Sequence, residues 1–352
     1  MTTFTYPPGH TRTKTALRPA HAKYVARYRA LVREYEPRAG VTRELAERVV
    51  KVEYGDIPLE LIHLAKMVVL EGVGCMVAGA LRESSRRVLR YVRRIGGSPD
   101  ATCLYYGDRT NIHNAALVNG AFGHDARESV VLTAAFAVAE REIADGHEVL
   151  TAFIAGWEVE LRLAAAASPL IPHQRPLDPI ATFGPFGAAV AGGKLLRFNA
   201  SIMENAITCC PAQAAGTLQA SVAGGESGRV VSGFASTYGL RAATMAQRGI
   251  SGARDSLEGR RGFYMCIAGL NDDGTPRFDV DKVVDGFGER WHVRSAASTR
   301  SVEDSTTRFR RDAAVAGLPQ RMLDEVIDRV NRLEVQSDLA PLIANLVGGK
   351  RR

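Results

Sequence analysis

The sequence predicts an all-α protein, and three observations carry the prediction. Segments rich in alanine and glycine recur from residue 111 onward, with apolar residues at helical spacing, and small residues at helix contacts let backbones approach closely. Extended candidates are short and confined to residues 101–106 and 277–280. Helix start and stop signals punctuate the chain, such as Asp56 ahead of Pro58 and the Gly96-Gly97-Ser98-Pro99 break. With 46% hydrophobic residues in 352, a sizeable core can be buried.

Residues 1–40 are expected to form a basic, poorly ordered arm, because eight Lys and Arg side chains there face only Glu34 and Glu36. Helices are expected over 42–52 and 58–81, the second apolar nearly all the way round and therefore central. Residues 84–95 place Val88, Leu89, Val92 and Ile95 on one face and Arg86, Arg87, Arg90, Arg93 and Arg94 largely on the other. That basic face is either solvated or anion-binding. Further helices are expected over 111–122, 129–141, 148–167, 185–196, 200–216 and 233–247. Two closing helices over 319–346 pack through Met322, Val326, Val330 and Leu333. The domain plan is a helical core over 41–270, a linker or reduced second unit over 271–301, returning helices over 302–346, and a basic tail at 347–352.

Charge and cysteine usage narrow the classes of function. The arm holds +6 of the +7 net charge, so the folded body is nearly neutral and no phosphate-tracking surface is expected over it. Five cysteines without a CxxC pair point to reduced thiols and a cytoplasmic setting, and to no cysteine metal site. The opening residues lack a signal-peptide core, and the apolar run 67–81 is short for a bilayer and contains Glu71, so no membrane partner is expected. No phosphate-binding glycine loop follows a strand, and no Gly-x-Ser-x-Gly elbow is present.

One stretch resembles a known family. Leu257-Glu258-Gly259-Arg260-Arg261-Gly262-Phe263 matches the Leu-Glu-Gly-(Arg/Lys)-x-Gly-Phe turn of the MmgE/PrpD family, which includes 2-methylcitrate dehydratases, cis-aconitate decarboxylases and an iminodisuccinate epimerase. Glu53-Tyr54-Gly55-Asp56-Ile57-Pro58, Ala115-Ala116-Leu117-Val118-Asn119-Gly120-Ala121, Ala155-Gly156-Trp157-Glu158-Val159, Ala181-Thr182-Phe183-Gly184 and Glu204-Asn205-Ala206 follow the family in order and spacing. The resemblance implies a helical core with a smaller α+β lid, a homodimer, and cofactor-free, metal-independent chemistry. In that chemistry a proton is moved next to a carboxylate and water or carbon dioxide is eliminated.

At four points where the family carries its chemistry, this sequence departs from the pattern. The loop after Ala121 reads Gly123-His124-Asp125-Ala126-Arg127-Glu128 and lacks the family's further aspartate, threonine and second histidine; His124 matches the first histidine, and Asp125 is the candidate replacement carboxylate. Asp178 stands where the family has a general acid/base histidine. A carboxylate titrates ~2 units below imidazole, so Asp178 suits a base near neutrality, or else it caps a helix at Asp-Pro. Gly228 replaces the family lysine, and Arg229 beside it is an anion binder or a surface arginine; it cannot shuttle a proton. Most of the lid pattern is missing between Trp291 and Val302. Arg127 and Tyr238 complete the candidate substrate-binding set with Arg229.

Two functions follow from this pattern. One is a repurposed lyase or isomerase, performing dehydration, isomerisation or cyclisation on a small acidic or carbonyl-containing molecule such as a specialised metabolite, with Asp178, Asp125 and His124 at the reacting centre. The other is a non-catalytic relative acting as scaffold or partner subunit.

Overall fold

The structure is a computed structural model that describes residues 19–126, 128–297 and 301–348. It is helical throughout, apart from one antiparallel pair of three-residue strands among the described residues, β1 (Ala101–Cys103) and β2 (Asp108–Thr110). The helices in chain order are α1 (Pro19–Glu34), α2 (Val41–Lys51), α3 (Leu59–Gly79), α4 (Glu83–Ile95), α5 (Ile112–Phe122), α6 (Ser129–Glu142), α7 (Gly146–Ala166), α8 (Pro179–Leu195) and α9 (Ala200–Cys209). They continue as α10 (Gln219–Ala223), α11 (Val231–Gln247), α12 (Phe263–Ile267), α13 (Asp281–Val284), α14 (His292–Ala297), α15 (Val302–Val315), α16 (Gln320–Asn331) and α17 (Ala340–Asn345).

At the centre, α8 is sandwiched by α7, α6 and α11, and α11 also crosses α5. Glycine makes these crossings possible. A Cβ on Gly120 of α5 would fall 2.6 Å from the Cα of Gly233 on α11, and one on Gly187 would fall 2.8 Å from the Gly156 carbonyl oxygen of α7. Gly120→Ala is therefore expected to push two helix backbones apart and to cost about 1–3 kcal/mol, read as a lower urea midpoint at unchanged m value.

The second expected helix is present as α3, whose apolar character runs round its whole circumference because α15, α5, α16 and α14 pack against it. At 21 residues it is long and apolar enough to cross a membrane by length and composition, contrary to the shorter run read from sequence, and 72% of its apolar window is buried inside the protein. Asp56 does not cap it. Its carboxylate accepts from the Glu53 N–H at 2.9 Å and closes the short 3-10 turn Tyr54–Asp56, while Pro58 takes the N-cap position of α3.

Three other boundaries differ from expectation for local reasons. Helix α8 begins six residues before Pro185, because Asp178 caps it and Pro179 fills its first turn, where a missing N–H costs nothing. Helix α9 stops at Cys209, since Pro211 follows and the chain turns through a 3-10 segment, Cys210–Ala212. The candidate strand at 277–280 is bend and turn, and the bridge between Leu270 and Pro276 lies just ahead of it.

The basic arm also differs. Residues 19–34 form α1, and Tyr28, Leu31, Val32 and Tyr35, at i, i+3, i+4 and i+7, pack against the core. Its many charges hide that stripe from a reading by net charge. Residues 1–18 of the arm and most of the basic tail lie outside the described residues.

The Leu257–Phe263 motif is structural. Glu258 is fully buried and accepts from the Thr42 N–H at 3.1 Å and the Thr42 hydroxyl at 2.5 Å, while the Leu257 N–H donates to that hydroxyl at 3.2 Å. It thereby ties the start of α2 to the turn. Phe263 packs edge-on against Phe183 and Phe186 of α8, so the motif joins both ends of the core.

A second buried device fixes the segment after the core. Glu158 and Arg162, one turn apart on α7, are both fully buried and paired at 2.6 Å. Arg162 donates to the carbonyl oxygens of Lys282, Asp285, Gly286 and Arg290, and its guanidinium lies 4.9 Å from the centre of the Phe287 ring. Glu158 accepts from the backbone N–H groups of His292 and Val293. The backbone from α13 to the start of α14 is thus held down by side chains of one helix.

Candidate functional site

The loop between α5 and α6 is a tight turn. The Gly123 N–H donates to the Asn119 carbonyl, Ala126 donates to Gly123, and Ser129 donates to Ala126 as α6 begins. With no room for a longer excursion, His124 and Asp125 project directly from the end of α5.

Asp125 is paired with Arg82, which stands just ahead of α4. The Arg82 hydrogen bond, opposed by partial burial and helped by the charges of Arg82, His124 and Arg229, holds the Asp125 carboxyl below its usual range. A carboxylate so stabilised is a weak base. Its geometry suits it to fixing the loop and neutralising Arg82.

His124 is half-buried. Its Nδ1 is buried with no hydrogen-bond partner among the described residues, a state that a water or bound group would relieve. Burial lowers its pKa below the ordinary 6.5, aided by the positive charges of Arg229 and Arg82 and opposed by Asp125 and Asp178. The imidazole is therefore neutral at physiological pH, with one ring nitrogen available to take a proton.

Asp178 is the N-cap of α8. Its Oδ1 accepts from Ile180 at 2.8 Å and Ala181 at 3.2 Å, its own N–H donates to the Gly216 carbonyl, and its side chain is 7% exposed. The cap is thus real, and it sits within electrostatic reach of His124. Its charge opposes the lowering of the imidazole pKa. Asp178→Asn keeps a cap acceptor, whereas Asp178→Ala removes it. The alanine variant is expected to lose about 1 kcal/mol of stability and the asparagine variant much less, as thermal melts would read.

Arg229 lies in the 3-10 turn Glu226–Val230 that leads into α11, exposed and without a hydrogen bond or ion pair among the described residues. Its charge acts on both His124 and Asp125. His124, Asp125, Asp178 and Arg229 therefore converge from three separate segments. Arg127 lies outside the described residues.

Tyr238 does not join them. It stacks on Phe234 at 5.9 Å between ring centres and faces a groove against α4, near the start of α5, whereas His124 follows the end of that helix. Eleven residues of helix at 1.5 Å per residue put roughly 15 Å between the two ends.

Two groups were not anticipated. Arg82 carries no sequence signal separating it from the five arginines of α4, and only the fold aims it at Asp125. Glu160 on α7 has a buried Oε2 without a hydrogen-bond partner among the described residues, and burial, with the nearby Glu128 charge, pushes its pKa up to about 8. The Arg82–Asp125 pair lines a polar cavity of about 730 Å3 together with Glu71, Cys75, Arg308 and Asp312 among others. Burial and the Asp312 charge push the Cys75 thiol up to about 12, which leaves it a poor nucleophile. Among the described residues no group of three or more His, Cys, Asp or Glu is placed to hold a metal ion.

Comparison with known proteins agrees with this architecture. The chain is 26% identical over 283 residues to the cis-aconitate decarboxylase-like protein oryM of Aspergillus oryzae, covering 74% of this chain and 58% of that protein. It is 28% identical over 279 residues to the cis-aconitate decarboxylase of Aspergillus terreus, covering 73% of this chain and 56% of the relative. The chain thus spans little more than half the length of these relatives. Residues 43–274 match the MmgE/PrpD N-terminal domain, which takes in α2 to α12 and all four converging side chains, and the chain belongs to the MmgE/PrpD family.

Proposed function

We propose that this protein is a lyase or isomerase that moves a proton next to a carboxylate of a small acidic substrate, without an organic cofactor. The observation that carries the reading is His124, a neutral, half-buried imidazole set among two carboxylates and an arginine, with neither its Nδ1 nor that arginine side chain paired among the described residues. The names of the two Aspergillus relatives support a carboxylate substrate and lyase chemistry.

In the proposed reaction Arg229 binds the substrate carboxylate, and His124 accepts the proton from the adjacent carbon. The C–H electron pair moves into that carboxylate as an enediolate, whose extra charge Arg229 offsets. Asp178 stabilises the imidazolium that forms, and the Asp125–Arg82 pair holds the loop. Collapse of the enediolate then expels a β-hydroxyl, which leaves as water with the proton held on His124; return of that proton to the opposite face gives an isomer instead. Asp178 thereby takes an electrostatic role in preference to carrying the proton itself, because backbone N–H groups already occupy one of its oxygens.

The test is solvent exchange. Wild-type protein is incubated in D2O with 2-methylcitrate, citrate and other small carboxylates bearing such a C–H bond, and proton NMR follows deuterium entering the carbon next to the carboxylate. Incorporation or elimination above the buffer rate supports the reading. Buffer-rate behaviour throughout, together with copurification of a second, active family member, supports the scaffold instead.

A further inference from the structure

The groove that receives Tyr238 is a second site, separate from His124 and its neighbours. It lies between α4 and α11 over the start of α5 and encloses about 530 Å3, within the range of small-molecule sites. Val88, Leu117 and Val230 contribute apolar surface, and Tyr91, Phe234 and Tyr238 add aromatic rings. Tyr91 is 58% exposed, Ile95 51% and Phe234 43%, so large apolar side chains that the core does not need are spent on this groove.

The polar groups of the groove are few and differently occupied. At one end Arg87 and Glu226 neutralise each other at 3.0 Å. Two turns along α11 from Phe234, the Arg241 guanidinium has no hydrogen bond or ion pair among the described residues. Asn114, 8% exposed, donates through Nδ2 to the Gly96 carbonyl at 2.9 Å, while its Oδ1 accepts no hydrogen bond among those residues. One unpaired cation and one open acceptor thus stand at the edge of an apolar trough.

We propose that this groove binds an amphiphilic carboxylate, with its alkyl or aryl body along Tyr91, Phe234 and Leu117 and its carboxylate on Arg241. Charge complementarity selects this occupant. A second copy of the chain packed by two-fold symmetry brings the same surplus arginine to the interface from both sides, whereas an anion pairs with the cation the fold leaves free. The inference is independent of the chemistry assigned to His124.

Anilinonaphthalene sulfonate serves as the fluorescent probe and decanoate as the competitor, with 1-decanol as its uncharged counterpart. Decanoate is expected to displace the probe saturably, at one per chain. R241Q should weaken decanoate roughly tenfold and leave 1-decanol unchanged, since a charged hydrogen-bonded pair is lost; F234S should weaken both. Both side chains are exposed, so melting temperatures should match wild type. The proposal is overturned if decanoate does not compete, if R241Q and F234S bind as wild type does, or if a dimer forms in solution that F234S dissociates, which would give the groove to a second copy.

Discussion

Replacing Arg162 with methionine should destabilise the protein by about 3–5 kcal/mol, the cost of leaving a buried carboxylate without its counterion. The magnitude follows from what the guanidinium does. It is fully buried, pairs with Glu158 at 2.6 Å, and reaches the Asp285 carbonyl oxygen at 2.9 Å and that of Arg290 at 2.5 Å. No other side chain supplies planar donors to a carboxylate and several carbonyls at once, so Arg162→Lys should fail as well. Glu158→Met combined with Arg162→Met should cost less than the single arginine variant, because the orphaned charge goes with its partner.

The acid dependence carries a definite sign. Burial pushes the Glu158 pKa up, but hydrogen bonds from His292 and Val293 and the Arg162 charge outweigh it and hold the group below its ordinary 4.5. A depressed folded pKa gives stability that is present above the unfolded value and lost as pH falls through the folded one. The gap between wild type and Arg162→Met should therefore be widest near neutrality and narrow below pH 4.5, as urea midpoints across pH would show.

The second large effect concerns turnover. His124→Gln should reduce deuterium incorporation by about 10²–10⁴, the usual contribution of a positioned acid or base, with little change in melting temperature. Glutamine retains a polar side chain but takes no proton at these pH values. Asp178→Asn should reduce the rate by less while keeping the α8 cap, since the proposed role of that carboxylate is to stabilise a charge on His124. Arg229→Gln should raise KM more than it lowers kcat if the carboxylate is held equally in ground and transition states, and lower both if it meets the enediolate.

The helical framework was legible because periodicity and caps are local. Where it misled, a local competitor decided the outcome: Asp178-Pro179 and the later Pro185 offer similar start signals, and the cap carboxylate at Asp178 wins. Helix α1 was hidden because its stripe of Tyr28, Leu31, Val32 and Tyr35 is diluted by arginines that face outward. The family motifs led to His124, Asp178 and Arg229 individually, but their convergence depends on α5, α8 and the turn before α11 meeting in space.

Other parts of the site depend on partners distant in sequence. Arg82 pairs with a residue 43 positions away, and Glu158 and Arg162 act on backbone more than 100 positions further on. The sequence sets Tyr238 near Arg229, but only the rotation of α11 shows that its ring faces the groove against α4.

The most direct test of the account is the pH profile of solvent deuterium exchange into a carboxylate substrate, for wild type and for His124→Gln. The account predicts a wild-type rate that rises with pH through a single ionisation below 6.5 and then levels off, and no such rise in the variant. Equal rates and profiles for the two proteins would contradict it.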